Sequence, residues 1–198
     1  MELLIYLLLF VTSIIGLAVI VERGLALRWA KVIPPEVEAA VESCRERKDL
    51  AVLRRVAEQH PAPLSRLLLT SAEHLDWPKA DNEDAVQTRA RHEIVRLERG
   101  LVVLEIIVGI APLIGLVGTI AGMMKLFSGL EGQGLNDIAK MAGGIGLILK
   151  ATLFGLLIAI PALIAWGYFS KKVEVLGVEM ERLCSEFLRR QYQESNKP

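Results

Sequence analysis

The sequence lacks an excess of charge of either sign: 23 lysines and arginines stand against 23 aspartates and glutamates. The basic residues are interleaved with acidic ones rather than gathered into a patch, so the electrostatic footprint of a nucleic-acid-binding protein is missing. Cysteine is almost absent. Cys44 and Cys184 lie far apart in charged segments, which excludes a secreted disulfide scaffold and a cysteine metal site; reduced thiols facing a cytoplasm are the simplest expectation. The three histidines, His60, His74 and His92, have no metal-ligand spacing and are expected on the surface. No serine, cysteine or aspartate in an apolar run is paired with a base, and the glycines from 109 to 122 lie inside an apolar stretch, not in a phosphate-binding loop. Enzyme chemistry has no constellation to stand on, and the sequence calls for no cofactor or metal. No internal repeat or low-complexity segment is present.

What the chain does have is apolar length. Hydrophobic residues make up 53% of its 198 positions, too many for an ordinary soluble domain, so the expected solvent is lipid. A bilayer core about 30 Å thick takes roughly 20 helical residues, and three runs reach that length. The first, Leu3 to Val21, is interrupted only by Thr12, Ser13 and Gly16, and Glu22, Arg23 and Arg28 follow. It lacks the preceding basic residues and the A-x-A site of a signal peptide, and its run is longer than a signal core, so an uncleaved span is expected. The second, about Leu101 to Met124, holds Glu105 and Pro112. The third, about Met141 to Phe169, holds Lys150 and Pro161.

These runs divide the chain into a first transmembrane helix (1–22), a charged helical segment (23–99), a second transmembrane helix (100–127), a short connection (128–140) with Gly129, Gly132, Gly134 and Asp137, a third transmembrane helix (141–169) and a helical tail (170–198). The charged segment carries brief apolar stripes, Val37, Val41 and Cys44, then Leu50, Leu53 and Val56, as amphipathic helices do. Pro61 and Pro63 break it, and a second break falls near Trp77, Pro78, Asp81 and Asn82. From Glu83 no proline or glycine intervenes before Arg99, which predicts one continuous helix running into the second span. After Phe169, the recurrence of Val173, Leu176, Met180, Leu183 and Phe187 at steps of three and four predicts a seam that packs on the helices of residues 36–74 or on a neighbouring subunit. Nearly all lysines and arginines lie in 23–99 and in the tail, whereas the connection and the end of the span before it have only Lys125 and Lys140. The excess marks the cytoplasmic side, which places the N-terminus outside and the C-terminus inside.

Ala111, Gly115, Gly118, Thr119 and Gly122 recur three or four residues apart and share a helix face whose one polar side chain is Thr119. Thr152, Gly155 and Ala159 repeat the device in the third span. Small residues serve close helix contact, because tight packing replaces the hydrophobic drive that a bilayer does not supply. Two such faces exceed what one three-helix subunit is expected to bury, which predicts a homo-oligomer. Each threonine has two readings: a hydroxyl bonded back to the carbonyl four residues earlier, or one lining a path for a partner helix, a water file or an ion. Neither can carry a proton by ionising. Glu105 and Lys150 are the formal charges inside the apolar runs; intramembrane charge suggests function, while a headgroup position for Glu105 and snorkelling of Lys150 are the alternatives. Pro112 and Pro161 are expected to kink their spans and free backbone carbonyls, or else to be tolerated irregularities in a bundle.

The run A-P-L-I-G-L-V-G-T-I-A-G-M-M-K-L-F from Ala111 to Phe127, with K-A-T-L-F-G-L-L-I-A-I-P-A from Lys150 to Ala162 and V-E-R after the first span, resembles the MotA/TolQ/ExbB proton-channel family in its ExbB/TolQ branch. The order of spans and charged segments matches as well, so the resemblance covers essentially the whole chain. It implies an all-α subunit of a bacterial inner-membrane motor, N-terminus periplasmic and C-terminus cytoplasmic, with long cytoplasmic helical extensions and five copies in a ring. In such proteins the ring surrounds the helices of a dimeric, single-span partner resembling ExbD or TolR, which carries the proton-accepting aspartate, and energy passes to a TonB-like or other envelope-spanning partner. Thr119 and Thr152 fall at the positions facing the partner helices, and Pro112 and Pro161 at the family's prolines. Gly115, Gly118, Gly122 and Gly155 then become part of a pore lining. One departure stands out: Leu147 occupies the place where many ExbB and TolQ proteins have an intramembrane glutamate, and Lys150 a usually apolar place. The alternative to an ion-driven stator is a structural membrane scaffold without ion conduction.

Overall fold

The computed structural model describes residues 2–128 and 138–194, with side chains from 3 to 128, at 145, and from 148 to 193. The expected connection with Gly129, Gly132, Gly134 and Asp137, and the side chain of Leu147, lie outside the described residues. Among the described residues all regular structure is helical: α1 (Glu2–Ala26), α2 (Trp29–Val32), α3 (Pro35–Ser43), a 3₁₀ turn (Arg47–Asp49), α4 (Leu50–Gln59), α5 (Pro63–Glu73), α6 (Lys79–Glu98), α7 (Leu101–Ser128) and α8 (Ile138–Glu194). Three of these helices, α1, α7 and α8, are long and apolar enough to cross a membrane. At 1.5 Å per residue the 57 residues of α8 measure about 86 Å. That is far more than a bilayer core needs.

The chain forms two compact units, one of residues 1–23 and 100–168, the other of 24–99 and 169–198. The first turns its large apolar side chains outward. Leu3, Ile164 and Met124 are 85%, 68% and 69% exposed, an arrangement that water would penalise and lipid accepts.

The second unit is built in the ordinary way of water-soluble helices, around an apolar core. Proline stands at the first position of α3 and of α5, where its missing N–H costs nothing. α3 packs on α4, α4 on α5 and α5 on α6. Into this layer α8 sends Leu176, Met180, Leu183, Phe187 and Leu188, which meet Val37, Val41, Leu53, Leu64, Leu67 and Leu68. The seam after Phe169 thus finds the helices of residues 36–74. Polar ties accompany it: Arg190 donates to the carbonyls of Val41 and Glu42 at the end of α3 (3.3 and 3.0 Å), satisfying groups that a helix C-terminus leaves open. Tyr192 donates to the Trp77 carbonyl (2.8 Å) and Asn82 to that of Ser71 (3.0 Å).

Three expectations are corrected. The helix entering the second span is not continuous: α6 ends at Glu98, and Gly100 at φ +93° turns the chain before α7 begins. Only glycine takes that conformation cheaply. A side chain there would also press on Arg23, 3.2 Å away. The cysteines are not joined in a disulfide, but they do not face solvent; both are buried in the core, the Gln191 amide donates to the Cys44 sulfur (3.6 Å), and burial, with the charge of Glu181, pushes the Cys184 thiol up to about 12. His74 is half-buried, its ring bonded to the Thr70 carbonyl (2.8 Å) and tilted at 53° against Trp77, 4.0 Å between centroids.

The buried carboxylate of Glu93, 1% exposed, is the electrostatic hub of this unit. Arg66 of α5 donates to both its oxygens (2.9 and 2.6 Å), and Arg89 and Arg96, one turn away on α6, approach to 3.4 Å. Burial pushes the Glu93 carboxyl up, but the bond to Arg66 and the charges of Arg66, Arg96 and Arg89 outweigh it and hold it below its ordinary 4.5. A carboxylate lowered in this way stabilises the fold above the unfolded value and loses that contribution as pH falls through the folded one. Glu93→Gln should therefore lower stability at pH 7 by about 3 kcal/mol, the scale of a broken buried ion pair. Unfolding followed in a pH series should show the deficit shrinking below pH 4.5; a deficit that does not change with pH would refute the assignment.

Candidate functional site

The first unit is organised by the line along which α7 meets α8. Ala111, Gly115, Gly118 and Gly122 are all buried on α7, as are Ala151, Gly155, Ala159 and Ala162 on α8. The contact is reciprocal at the backbone. A Cβ on Gly115 would lie 2.8 Å from the Ala151 carbonyl oxygen and 2.9 Å from the Thr152 Cα, and one on Gly155 would lie 2.5 Å from the Ala111 carbonyl oxygen and 3.3 Å from the Pro112 Cα. Neither neighbour can step aside, because both are helix backbone. Gly118 admits Ala151 and Ile5 of α1, and Gly122 admits the side chain of Ile148. Below the crossing, Ile107, Ala111, Ala159 and Ala162 close the packing. Tyr6 of α1 meets Phe154 edge-on at 6.3 Å.

The small-residue faces therefore bury one another within a single chain. The expectation that they exceed what one subunit can bury is corrected: α7 and α8 satisfy each other, and α1 takes part at Gly118. Sequence reasoning named the glycines and alanines but not their counterparts Ile5, Ile148 and Ala151. Ala151 was legible as the small residue beside Thr152, four before Gly155. Ile5 and Ile148 carry no signal that separates them from lipid-facing isoleucines.

The two threonines differ. Thr119 is half-exposed and its hydroxyl donates to the Leu116 carbonyl, 2.7 Å away and three residues back. Thr152 stands on the α7 contact, and its Oγ1 is buried without a hydrogen-bond partner among the described residues. A buried polar group left unpaired costs about 1–3 kcal/mol, which a hydroxyl without a partner at a packed contact pays. Pro112 is half-buried at the crossing, whereas Pro161 is exposed. Lacking an N–H, each leaves the carbonyl four residues earlier, Val108 or Leu157, without its helical donor. Glu105 and Lys150 are both exposed on this chain, away from the α7–α8 contact. Lys150 precedes Thr152 by two positions, which turns it about 200° around the helix. No group of three His, Cys, Asp or Glu side chains that could hold a metal ion occurs among the described residues. The arrangement can position and hydrate an ion through hydroxyl and carbonyl oxygens, but it offers no titrating group at the crossing.

Residues 39–182 match the family model described as the MotA/TolQ/ExbB proton channel family. TolQ of the Tol-Pal system of Pseudomonas aeruginosa is 32% identical over an alignment covering 93% of this chain and 84% of that protein. An ExbB-like biopolymer transport protein of Synechocystis is 33% identical, with 80% of this chain and 63% of the relative covered. An ExbB homologue of Methanothermobacter thermautotrophicus is 29% identical, with 73% and 51% covered. The chain spans only part of the length of the latter two.

The crossing is tested with a matched pair of substitutions. Gly155→Ala should lower the thermal midpoint in mild detergent by the equivalent of about 1–3 kcal/mol, as overpacking does. At Gly109 an added methyl would meet nothing within 4 Å, so alanine should be accepted there with no loss, since a helix favours alanine over glycine by about 1 kcal/mol. Equal effects at the two positions would contradict the backbone contact.

Proposed function

The chain belongs to the MotA/TolQ/ExbB proton channel family, and from that membership we propose that it is the ExbB/TolQ-like stator subunit of an ion-driven, proton-coupled motor. It is a multi-pass inner-membrane protein with three candidate spans. In the proposed assembly five copies form a ring around the transmembrane helices of an ExbD/TolR-like dimer, with the N-terminus periplasmic and the charged helices of 23–99 and 170–198 cytoplasmic. Energy from ion flow passes through the partner to a TonB-like or other envelope-spanning protein. The names of the relatives, a Tol-Pal system protein and biopolymer transport proteins, support this class of work.

The observation that supports the reading is the buried hydroxyl of Thr152, which has no hydrogen-bond partner among the described residues. A scaffold has no need of a buried hydroxyl without a partner, since valine would fill the same space and remove the penalty. A hydroxyl that accepts from water and donates to a carboxylate is suited to guide a proton to an acid on another chain. Thr119, whose hydroxyl already donates to Leu116, is proposed to face the partner as an acceptor through its lone pairs. Pro112 and Pro161 contribute freed carbonyls, and Gly115, Gly118, Gly122 and Gly155 hold the two threonine-bearing helices together. Glu105 and Lys150 are assigned to the membrane boundary or to partner contacts. The proton-accepting carboxylate belongs to the single-span partner.

In a complex that retains its partner, Thr152→Val should cut gradient-driven activity by about tenfold, equivalent to ~1.4 kcal/mol. Thr152→Ser, which keeps the hydroxyl, should preserve most of it. Dissipating the proton gradient with the complex intact should stop the wild type. Full activity in Thr152→Val, with assembly confirmed, would sink the role of the hydroxyl, and activity that persists without a gradient would favour the scaffold.

A further inference from the structure

The second unit contains a feature that the proposed ion path does not use. Between α6 and α8 runs a groove of about 670 Å³. Val86, Ala90 and Val173 line its floor, and its rim carries Glu83, Asp84, Glu98, Glu174 and Glu181, against Arg91 as the one basic residue. Glu83 is paired with Lys79 (3.3 Å) and Glu174 with Lys171 (2.8 Å). Asp84, Glu98 and Glu181 are exposed, and no ion pair accounts for them among the described residues. Val178, 62% exposed, stands on the same rim. An apolar floor edged by like charges repels itself and favours a basic, partly apolar visitor.

The complementary surface is on the same chain. On α4 and the turn before it, Lys48, Val52 and Arg55 follow one another at four and three residues, and all three are exposed, Val52 by 60%; Lys48 is ion-paired with the exposed Glu46, a surface pair that an acidic partner can exchange at little cost. α4 packs on α5 and α5 on α6, and none of the three residues of the stripe lines the acidic groove. Two different, complementary faces on one chain can meet head to tail between copies, and such interfaces generate rings when the rotation closes. We infer that the α6–α8 groove of one copy receives the Lys48–Val52–Arg55 face of the next, with Glu181 and Asp84 meeting the basic side chains and the valines packing between them. This rests on the ring-forming reading above and specifies which surfaces of this unit close the ring.

The test uses the full-length protein in native membranes. Glu181→Cys and Arg55→Cys are introduced together and singly; the native Cys44 and Cys184 are buried and do not compete. Under a mild oxidant the double variant should form a ladder of covalent oligomers about tenfold faster than either single variant, because apposed thiols meet at high effective concentration. Adding Asp84→Lys or Lys48→Glu should slow the ladder, and adding both should restore it. If the double variant cross-links no faster than the singles while the wild type remains an oligomer in native mass spectrometry, the interface is wrong and the ring stands. A wild type that is monomeric in native membranes would overturn the ring itself. Loss of single-span partner capture in Asp84→Lys, with cross-linking unchanged, would give the groove to a basic segment of that partner and overturn the inference.

Discussion

Two helix backbones in direct contact inside a bilayer are the constraint from which the rest of the first unit follows. Lipid tails are as apolar as leucine, so helices there gain nothing by hiding apolar surface from a solvent that already welcomes it. They associate by approaching closely enough for dispersion and backbone contact to compete with lipid, and close approach requires the absence of side chains. Gly115 and Gly155 supply that absence from opposite sides of the same crossing, each admitting the other helix's backbone. Once the crossing is set at that depth, the neighbours have little freedom. Thr152 is carried into the contact because its own Cα is what Gly115 admits, and its hydroxyl is buried as a consequence. Thr119, one residue beyond Gly118, is left at the edge with a local carbonyl for its bond.

The second unit obeys the opposite solvent logic. Its helices are charged and amphipathic, and they cohere by removing apolar surface from water. Phe187, Leu176, Leu183 and Leu64, all within 1% of full burial, each contribute on the order of 1.5–3 kcal/mol when transferred from water. The charges are not incidental to this core. Glu93 sits at 1% exposure only because Arg66 gives it two bonds and Arg89 and Arg96 flank it; a carboxylate buried alone would be protonated or expelled.

Those two logics decide what was legible in the sequence. The long apolar runs announced α1, α7 and α8, because the length needed to cross a bilayer is a simple sum over residues. The step of three and four after Phe169 announced the seam that packs on α3 to α5. The glycine stripes could be seen as contact faces, yet periodicity says only that a face is small, not which helix fills it; that α7 and α8 fill each other depends on the crossing geometry. Gly100 was passed over because an apolar run follows it without a proline, although a lone glycine between a charged helix and an apolar one is where a chain can turn. Three of the four members of the Glu93 cluster stand at helical spacings in one stretch of sequence, Arg89, Glu93 and Arg96. Arg66, on another helix, does not, and no spacing marks the unpaired state of the Thr152 hydroxyl.

The chemistry of the crossing explains why an acid is better placed on a second chain. A carboxylate set among Gly115, Ala151 and Gly155 would have to be desolvated where no cation or donor array stands ready. Unlike Glu93, it would have no arginines to offset the cost, which at the centre of a membrane is at least about 2.5 kcal/mol and more without relief from water. A hydroxyl costs less to bury, keeps both donor and acceptor capacity, and cannot trap a proton by binding it. In the proposed assembly two tasks that one residue would perform poorly are divided: α7 and α8 supply the packed wall with its hydroxyl, and the partner's helix would supply the group that changes charge. Under that proposal, a wall that does not titrate would keep its packing while the charge on the partner changes, so the change would drive motion of the partner rather than loosening of the wall.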